Sequence, residues 1–231
     1  AGAVMHPGPA RPLVALISAN PTAMTPANSA FAERFPEARL WNILDDRLQE
    51  DADSRGVTGS LAARLRRLVD HAVLEGADAA LLTCPVYTPA ARSYAARCPI
   101  PLLDPDEMAL EAILQQSPAT VLVLASAHQP LSVSLNRFIN ESARHGVPVE
   151  TRGAVAAGAL DAARRGNTDD LTQALAAVIA SQPTPPDAVL LAQYSLAPVA
   201  GTLETATGIP VFSGPLSSAA ALRRTILGGS R

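Results

Sequence analysis

Short apolar runs of four to seven residues alternate along this chain with stretches whose apolar positions recur every three to four residues. That alternation is the signature of strand-helix-strand units wound around a parallel sheet. The runs at 13–18, 39–44, 79–83, 101–103, 120–125, 147–151, 188–192 and 209–212 read as strands. The clearest helix lies between them at 60–75, where Leu61, Leu65, Leu68, Val69, Ala72 and Val73 keep helical spacing. Segment 45–59 is polar and holds Gly56 and Gly59, so it reads as an excursion and a candidate lid over a site. Pro183-Thr184-Pro185-Pro186 forms a stiff connector into the strand that follows.

The pattern repeats. The stretch from Asp78 aligns without a gap on the stretch from Asp187, at an offset of 109 residues. Asp78, Ala79, Leu81, Leu82, Pro89, Ala91, Ile100 and Pro101 recur as Asp187, Ala188, Leu190, Leu191, Pro198, Ala200, Ile209 and Pro210. A second pair falls in nearly the same register: LVALISAN from Leu13 lies over VLVLASAH from Val121 at an offset of 108, with Ser18 over Ser126 and Asn20 over His128. Two similar α/β units are the expectation. All strand-helix-strand segments look somewhat alike, and that is the competing explanation.

Composition narrows the class. With 231 residues, 48% hydrophobic and only 17% charged, the chain can bury a real core and lacks the profile of a disordered protein. The net charge is −3 and aromatics make up 3%, so neither a phosphate-tracking surface nor a base-stacking platform is expected. No stretch approaches the ~18 apolar residues of a membrane span. The apolar run 13–17 after Arg11 is too short for a signal peptide, and the four residues before Met5 read as a cloning remnant. Two cysteines make no disulfide framework and read as reduced thiols in a cytoplasmic protein. A small polar substrate, a homodimer as a possible assembly, and neither nucleic acid nor membrane as partner complete the expectation.

In parallel sheets ligands bind beyond the carboxyl ends of strands. The relevant ends here are Ser18 to Asn20, Thr83 to Cys84, Ser126 to His128 and Ala192 to Ser195. Each opens a helix, whose free N–H groups and positive dipole end favour an anion such as a carboxylate. Ser18, Asn20, Thr83, Tyr87, Thr88, Ser126, His128 and Ser195 are therefore candidate substrate-binding residues, with Gln193 beside them. Most of these residue types would serve equally well as ordinary N-caps. Cys84 stands apart because Pro85 follows it, which makes it an N-cap whose thiolate the helix should favour, and its pKa is expected to fall. Cys98, at a helix-to-strand turn, reads as packing. His128 could transfer a proton or cap its helix; His71 sits on a surface helix, His6 in a tail and His145 in a loop. No two histidines share a metal-ligand spacing, and CxxC, HExxH, G-x-S-x-G, Walker A and G-x-G-x-x-G patterns are missing from the sequence. Neither a metal nor a cofactor is expected.

LLTCPVYTPA after the third strand, matched by a similar turn in the other half, resembles the aspartate/glutamate racemase superfamily, which includes hydantoin racemases, arylmalonate decarboxylases and maleate isomerases. The resemblance covers nearly the whole chain. It implies two Rossmann-like (flavodoxin-like) units related by a pseudo-twofold axis, the active site lying in the cleft between them. Residues 1–98 plus 213–231 would form one unit and 99–212 the other, with a C-terminal helix at 217–227 returning to the first. It also implies cofactor-independent chemistry by two cysteines on opposite faces of a substrate carbon. The first position falls on Cys84 and the second on Gln193, an amide that is neither acid nor base. One thiol suits decarboxylation with one-sided protonation, or covalent addition in a cis-trans isomerisation. Racemisation would need another acid in the second half, such as Tyr194. Ser18-Ala19-Asn20 stands where the glutamate racemases carry an Asp, which weakens that particular assignment. A cysteine hydrolase using His128 as base, and a sensor of small carboxylates without catalysis, are the alternatives from other classes.

Overall fold

The computed structural model describes residues 10–228; His6 and the residues before Met5 lie outside them. In the first half the order is β1 (Leu13–Ser18), α1 (Met24–Arg34), β2 (Arg39–Leu44), α2 (Leu48–Arg55), α3 (Gly59–Leu74), β3 (Ala79–Leu82), α4 (Thr88–Ala95) and β4 (Leu102–Leu103). The second half runs α5 (Glu107–Gln115), β5 (Thr120–Ala125), α6 (His128–Arg144), β6 (Glu150–Val155), α7 (Ala159–Arg164), α8 (Thr168–Ala180), β7 (Ala188–Leu191), α9 (Ala200–Thr207), β8 (Val211–Ser213) and α10 (Gly214–Leu227). The strands form two parallel four-stranded sheets, ordered β2-β1-β3-β4 and β6-β5-β7-β8. The expected two similar α/β units are present.

Period two along each central strand explains the layers. Ala15 and Ile17 of β1 face Leu61, Leu65 and Val69 of α3, while Val14 and Leu16 face Phe31 of α1 and Ala219 and Leu222 of α10. In β5, Leu122 and Leu124 pack on α8, and Val121, Val123 and Ala125 pack on α5 and α6. α3 starts where expected because the Thr58 hydroxyl accepts the Leu61 N–H at 3.2 Å.

The repeat has a physical basis at the amino ends of the sheets. A carboxylate oxygen of Asp78 accepts the Leu13 N–H at 2.8 Å, and one of Asp187 accepts the Thr120 N–H at 3.0 Å. Each Asp thus ties down the first residue of its central strand. This pairing also corrects the register of the N-terminal strands. Val14 pairs with Ala79, and Val121 pairs with Ala188, so β1 maps onto β5 at an offset of 107. Ser18 therefore corresponds to Ala125, not Ser126, and Asn20 to Ala127, not His128. The Ser-Ala match in sequence competes with the hydrogen-bond ladder, and the ladder wins.

Two further expectations change. The run 147–151 is the approach to β6, which extends to Val155; Gly153 fits inside that edge strand because a Cβ there would come within 3.0–3.1 Å of Leu135 and Leu131 on α6. The strand at 101–103, expected to open the second unit, pairs with β3 and closes the first sheet, so the chain crosses over only at residues 104–106. There the sequence Asp104-Pro105-Asp106-Glu107 forms a reciprocal cap. The Asp104 carboxylate accepts the Asp106 and Glu107 N–H groups at 2.9 and 3.0 Å, and the Glu107 carboxylate accepts the Asp104 N–H at 3.0 Å.

Candidate active site

The carboxyl ends of β1, β3 and β7 open onto a cavity of about 210 Å³ lined by residues from both halves. Of the residues expected at the site, Asn20, Thr83, Cys84, Gln193, Tyr194 and Ser195 line it. Gln49, Thr22 and Asp106 join them, none of which stood out in the sequence.

Cys84 leaves β3 in extended conformation and caps the short turn Pro85–Tyr87, which runs into α4. It is 4% exposed, and its Sγ donates to Oε1 of Gln49 at 3.1 Å. The expectation of a lowered pKa is corrected: burial pushes the thiol up, outweighing the Val86 and Tyr87 N–H groups that favour the thiolate. The resting group is a neutral S–H that donates a hydrogen bond. Gln49 reaches it from α2, inside the polar excursion, and also donates from Nε2 to Asp53 at 2.8 Å. The excursion is a docked wall instead of a loose lid. Arg64 of α3 clamps Asp45 and Asp51 at 2.6–2.8 Å, Leu48 is buried, and the Tyr87 hydroxyl donates to the Leu48 carbonyl at 2.7 Å.

That last bond corrects one expected role, since Tyr87 is wholly buried and holds α2 in place, away from any ligand. Ser18 is corrected likewise: it lies beneath the cavity floor, its hydroxyl sharing a 2.7 Å hydrogen bond with Thr83. Thr88 lines a neighbouring groove with Arg92 and Arg137, outside the cavity itself. His128 is exposed at the start of α6 and is not among the residues lining the cavity. Tyr194 is buried with its hydroxyl donating to the Pro105 carbonyl at 3.1 Å, and burial drives its pKa well up, so it makes a poor opposing acid.

Gln193 is held rigidly. Its Oε1 accepts from the N–H and the hydroxyl of Ser126 at 2.7 and 2.9 Å, which absorbs Ser126 into positioning. The amide nitrogen has no partner among the described residues, and Asn20, whose Oδ1 accepts from Thr22, leaves its own amide nitrogen equally available. The cavity thus offers neutral donors. Arg137, the nearest guanidinium, is spent on Asp104, which is 0% exposed and accepts its Nη1 and Nη2 at 2.8 and 2.7 Å.

Asp106 follows Asp104 at the mouth of this clamp. Burial raises its pKa to about 6, opposed by Arg137 and reinforced by Asp104, and burial raises Glu107 to about 7. Both groups hold protons more tightly folded than unfolded. Their stabilising contribution is therefore present below the ordinary carboxylate pKa near 4 and is lost as pH rises through about 6 to 7. Asp106→Asn should accordingly raise stability at pH 8 by up to about 3 kcal/mol and leave it unchanged at pH 4. Urea unfolding at both pH values measures this; equal effects at the two would contradict it.

A fold of this kind with an open cavity at facing strand ends defines an α/β enzyme class that works on small molecules at the sheet carboxyl edges. Residues 29–224 match the family model described as Asp/Glu/Hydantoin racemase, and the chain belongs to that family. Among solved structures it is similar to the aspartate racemase of Picrophilus torridus, at 15% identity over 93% of this chain and 94% of that one, with a TM-score of 0.67. The allantoin racemase from Klebsiella pneumoniae matches at 12% identity, covering 94% and 89%, with a TM-score of 0.68. Glutamate racemase from Francisella tularensis in complex with D-glutamate matches at 10% identity, covering 94% and 82%, with a TM-score of 0.64. Among curated protein sequences none matches the chain. No helix among the described residues is long and apolar enough to cross a membrane, and they contain no cluster of three or more His, Cys, Asp or Glu suited to a metal.

Proposed function

We propose that this chain is a cofactor-independent enzyme of the racemase family that moves a proton at a carbon beside a carboxylate or carbonyl, with Cys84 as a proton-carrying group. The observation that carries this reading is the placement of the Cys84 thiol at a strand end in a cavity of neutral donors. Its S–H donates to Gln49, while the Val86 and Tyr87 N–H groups favour the thiolate left after proton donation. The Asn20 and Gln193 amides and Ser195 would orient the substrate oxygens, and their neutrality leaves the carbon acid's developing negative charge to hydrogen bonds.

A second reading is favoured by Gln193. If Gln193 stands at the second cysteine position, as the resemblance implies, and is fixed by Ser126, the thiol side alone could protonate a carbanion formed by loss of carbon dioxide. One experiment separates the two. The protein is incubated in deuterated water with L-aspartate, L-glutamate, (S)-allantoin, 5-benzylhydantoin and 2-methyl-2-phenylmalonate, followed by NMR and chiral chromatography. Deuterium at the carbon with loss of optical purity supports racemisation; release of carbon dioxide with a single enantiomer of product supports decarboxylation. No change in any probe would overturn both.

A further inference from the structure

Resting on the racemase reading above, we infer that Asp106 is the second proton-transferring residue, taking the proton from one face of the substrate carbon while Cys84 serves the other. The cavity that holds Cys84 and Gln193 also holds Asp106, which comes from the crossover between the two sheets. Its carboxylate differs from its neighbours in being uncommitted. Asp104 is saturated by Arg137 and two backbone N–H groups, and Glu107 caps Asp104, whereas the Asp106 carboxylate accepts no hydrogen bond from any described residue. Its nearest cation is Nη1 of Arg137 at 3.8 Å, already engaged by Asp104. The side chain is 17% exposed. A carboxylate so enclosed, with one shared cation at 3.8 Å and no hydrogen bond, is costly unless something in the cavity bonds to it.

Space for it is made on purpose by residue 214. A Cβ at Gly214 would overlap the Pro105 carbonyl oxygen and stand 3.1 Å from Oδ1 of Asp106, so the β8–α10 turn can press on the crossover only because it lacks a side chain there. The titratable and charged groups around Asp106 are Arg137 on α6, Asp104 and Glu107 beside it in the chain and Tyr194 from the β7 turn, with Arg92 and Glu141 along the groove it also lines and Cys84 in the shared cavity; Asn20, Thr22 and Gln49 are neutral. This setting holds its pKa at about 6, so that it is ionised at neutral pH while the Cys84 thiol keeps its proton. Two groups of different acidity in one cavity divide into base and acid.

The carbon–hydrogen bond breaks, its proton forms an O–H bond on Asp106, and the electron pair spreads into the adjacent carboxylate or carbonyl. Cys84 then gives its S–H proton to the opposite face. The products are a neutral Asp106, a Cys84 thiolate and the inverted substrate, ready for the reverse reaction or for reset by exchange with water.

The test compares wild type with Asp106→Asn, Asp106→Glu and Cys84→Ala in the deuterium experiment on the same five probes, with kcat and KM measured from pH 5 to 9. Asp106→Asn should lower kcat about 100-fold or more and abolish the rise in kcat/KM through pH 6, with the circular dichroism spectrum preserved and Tm at pH 8 no lower than that of wild type. Asp106→Glu should recover part of the rate with a displaced pH profile, and it carries the test should the Asn variant not fold. An Asp106→Asn enzyme within threefold of wild type and with the same pH profile, alongside an inactive Cys84→Ala, would overturn the role of Asp106 and leave the racemase reading standing. A wild type inert toward every probe would overturn both.

Discussion

Cys84→Ala is expected to reduce turnover by about 10²–10⁴-fold, the range over which a positioned acid or base accelerates proton transfer. KM should change far less, because the neutral donors Asn20, Gln193 and Ser195 remain in place. Cys84→Ser is the sharper version. A hydroxyl can still donate to Gln49 at this position, so the wall at α2 is undisturbed, but its much higher pKa removes the readily reversible proton. Steady-state kinetics with the best probe from the deuterium panel gives the answer. A Ser variant as fast as wild type would mean that Cys84 is only a small residue filling the end of β3.

Arg137→Ala is expected to cost about 3–5 kcal/mol of folding stability, the penalty for stranding a buried charge. Asp104 is fully buried and receives two guanidinium hydrogen bonds, and the two backbone N–H groups of its cap cannot replace them. The double variant Arg137→Ala with Asp104→Asn should recover much of the loss, since it removes both charges and keeps an oxygen for the cap. Urea denaturation of the four proteins in this cycle measures the coupling. A loss below about 1 kcal/mol, typical of an exposed pair, would show that water reaches Asp104.

Both effects centre on residues whose legibility in the sequence differs. Cys84, Asn20, Thr83, Gln193 and Ser195 could be placed because the site lies at strand ends, and strand ends follow from apolar runs and the Asp78/Asp187 repeat. Asp106 and Gln49 reach the same cavity from a helix-capping segment and from a polar excursion, where no local pattern points inward. Asp104 and Glu107 around Pro105 went unread in the sequence, and nothing local there points to Arg137, 33 residues on, folding back to bind the cap. The sign of the Cys84 shift was missed for a related reason. The helix start is visible in Pro85, whereas the burial that outweighs it is supplied by α2, which the sequence places only through long-range contacts with Arg64 and Tyr87.

Below the cavity, the hydroxyl pair Ser18–Thr83 in the first half corresponds to Ala125 and Ala192 in the second. Each pair is self-sufficient, one by sharing a hydrogen bond and the other by having nothing to share. Thr83→Ala would bury the Ser18 hydroxyl without its partner at a cost of roughly 1–3 kcal/mol, whereas Ser18→Ala leaves the Thr83 hydroxyl the Ile17 carbonyl at 3.5 Å. The two hydroxyls are therefore expected to be lost in one order, Ser18 before Thr83, at far lower cost than in the other.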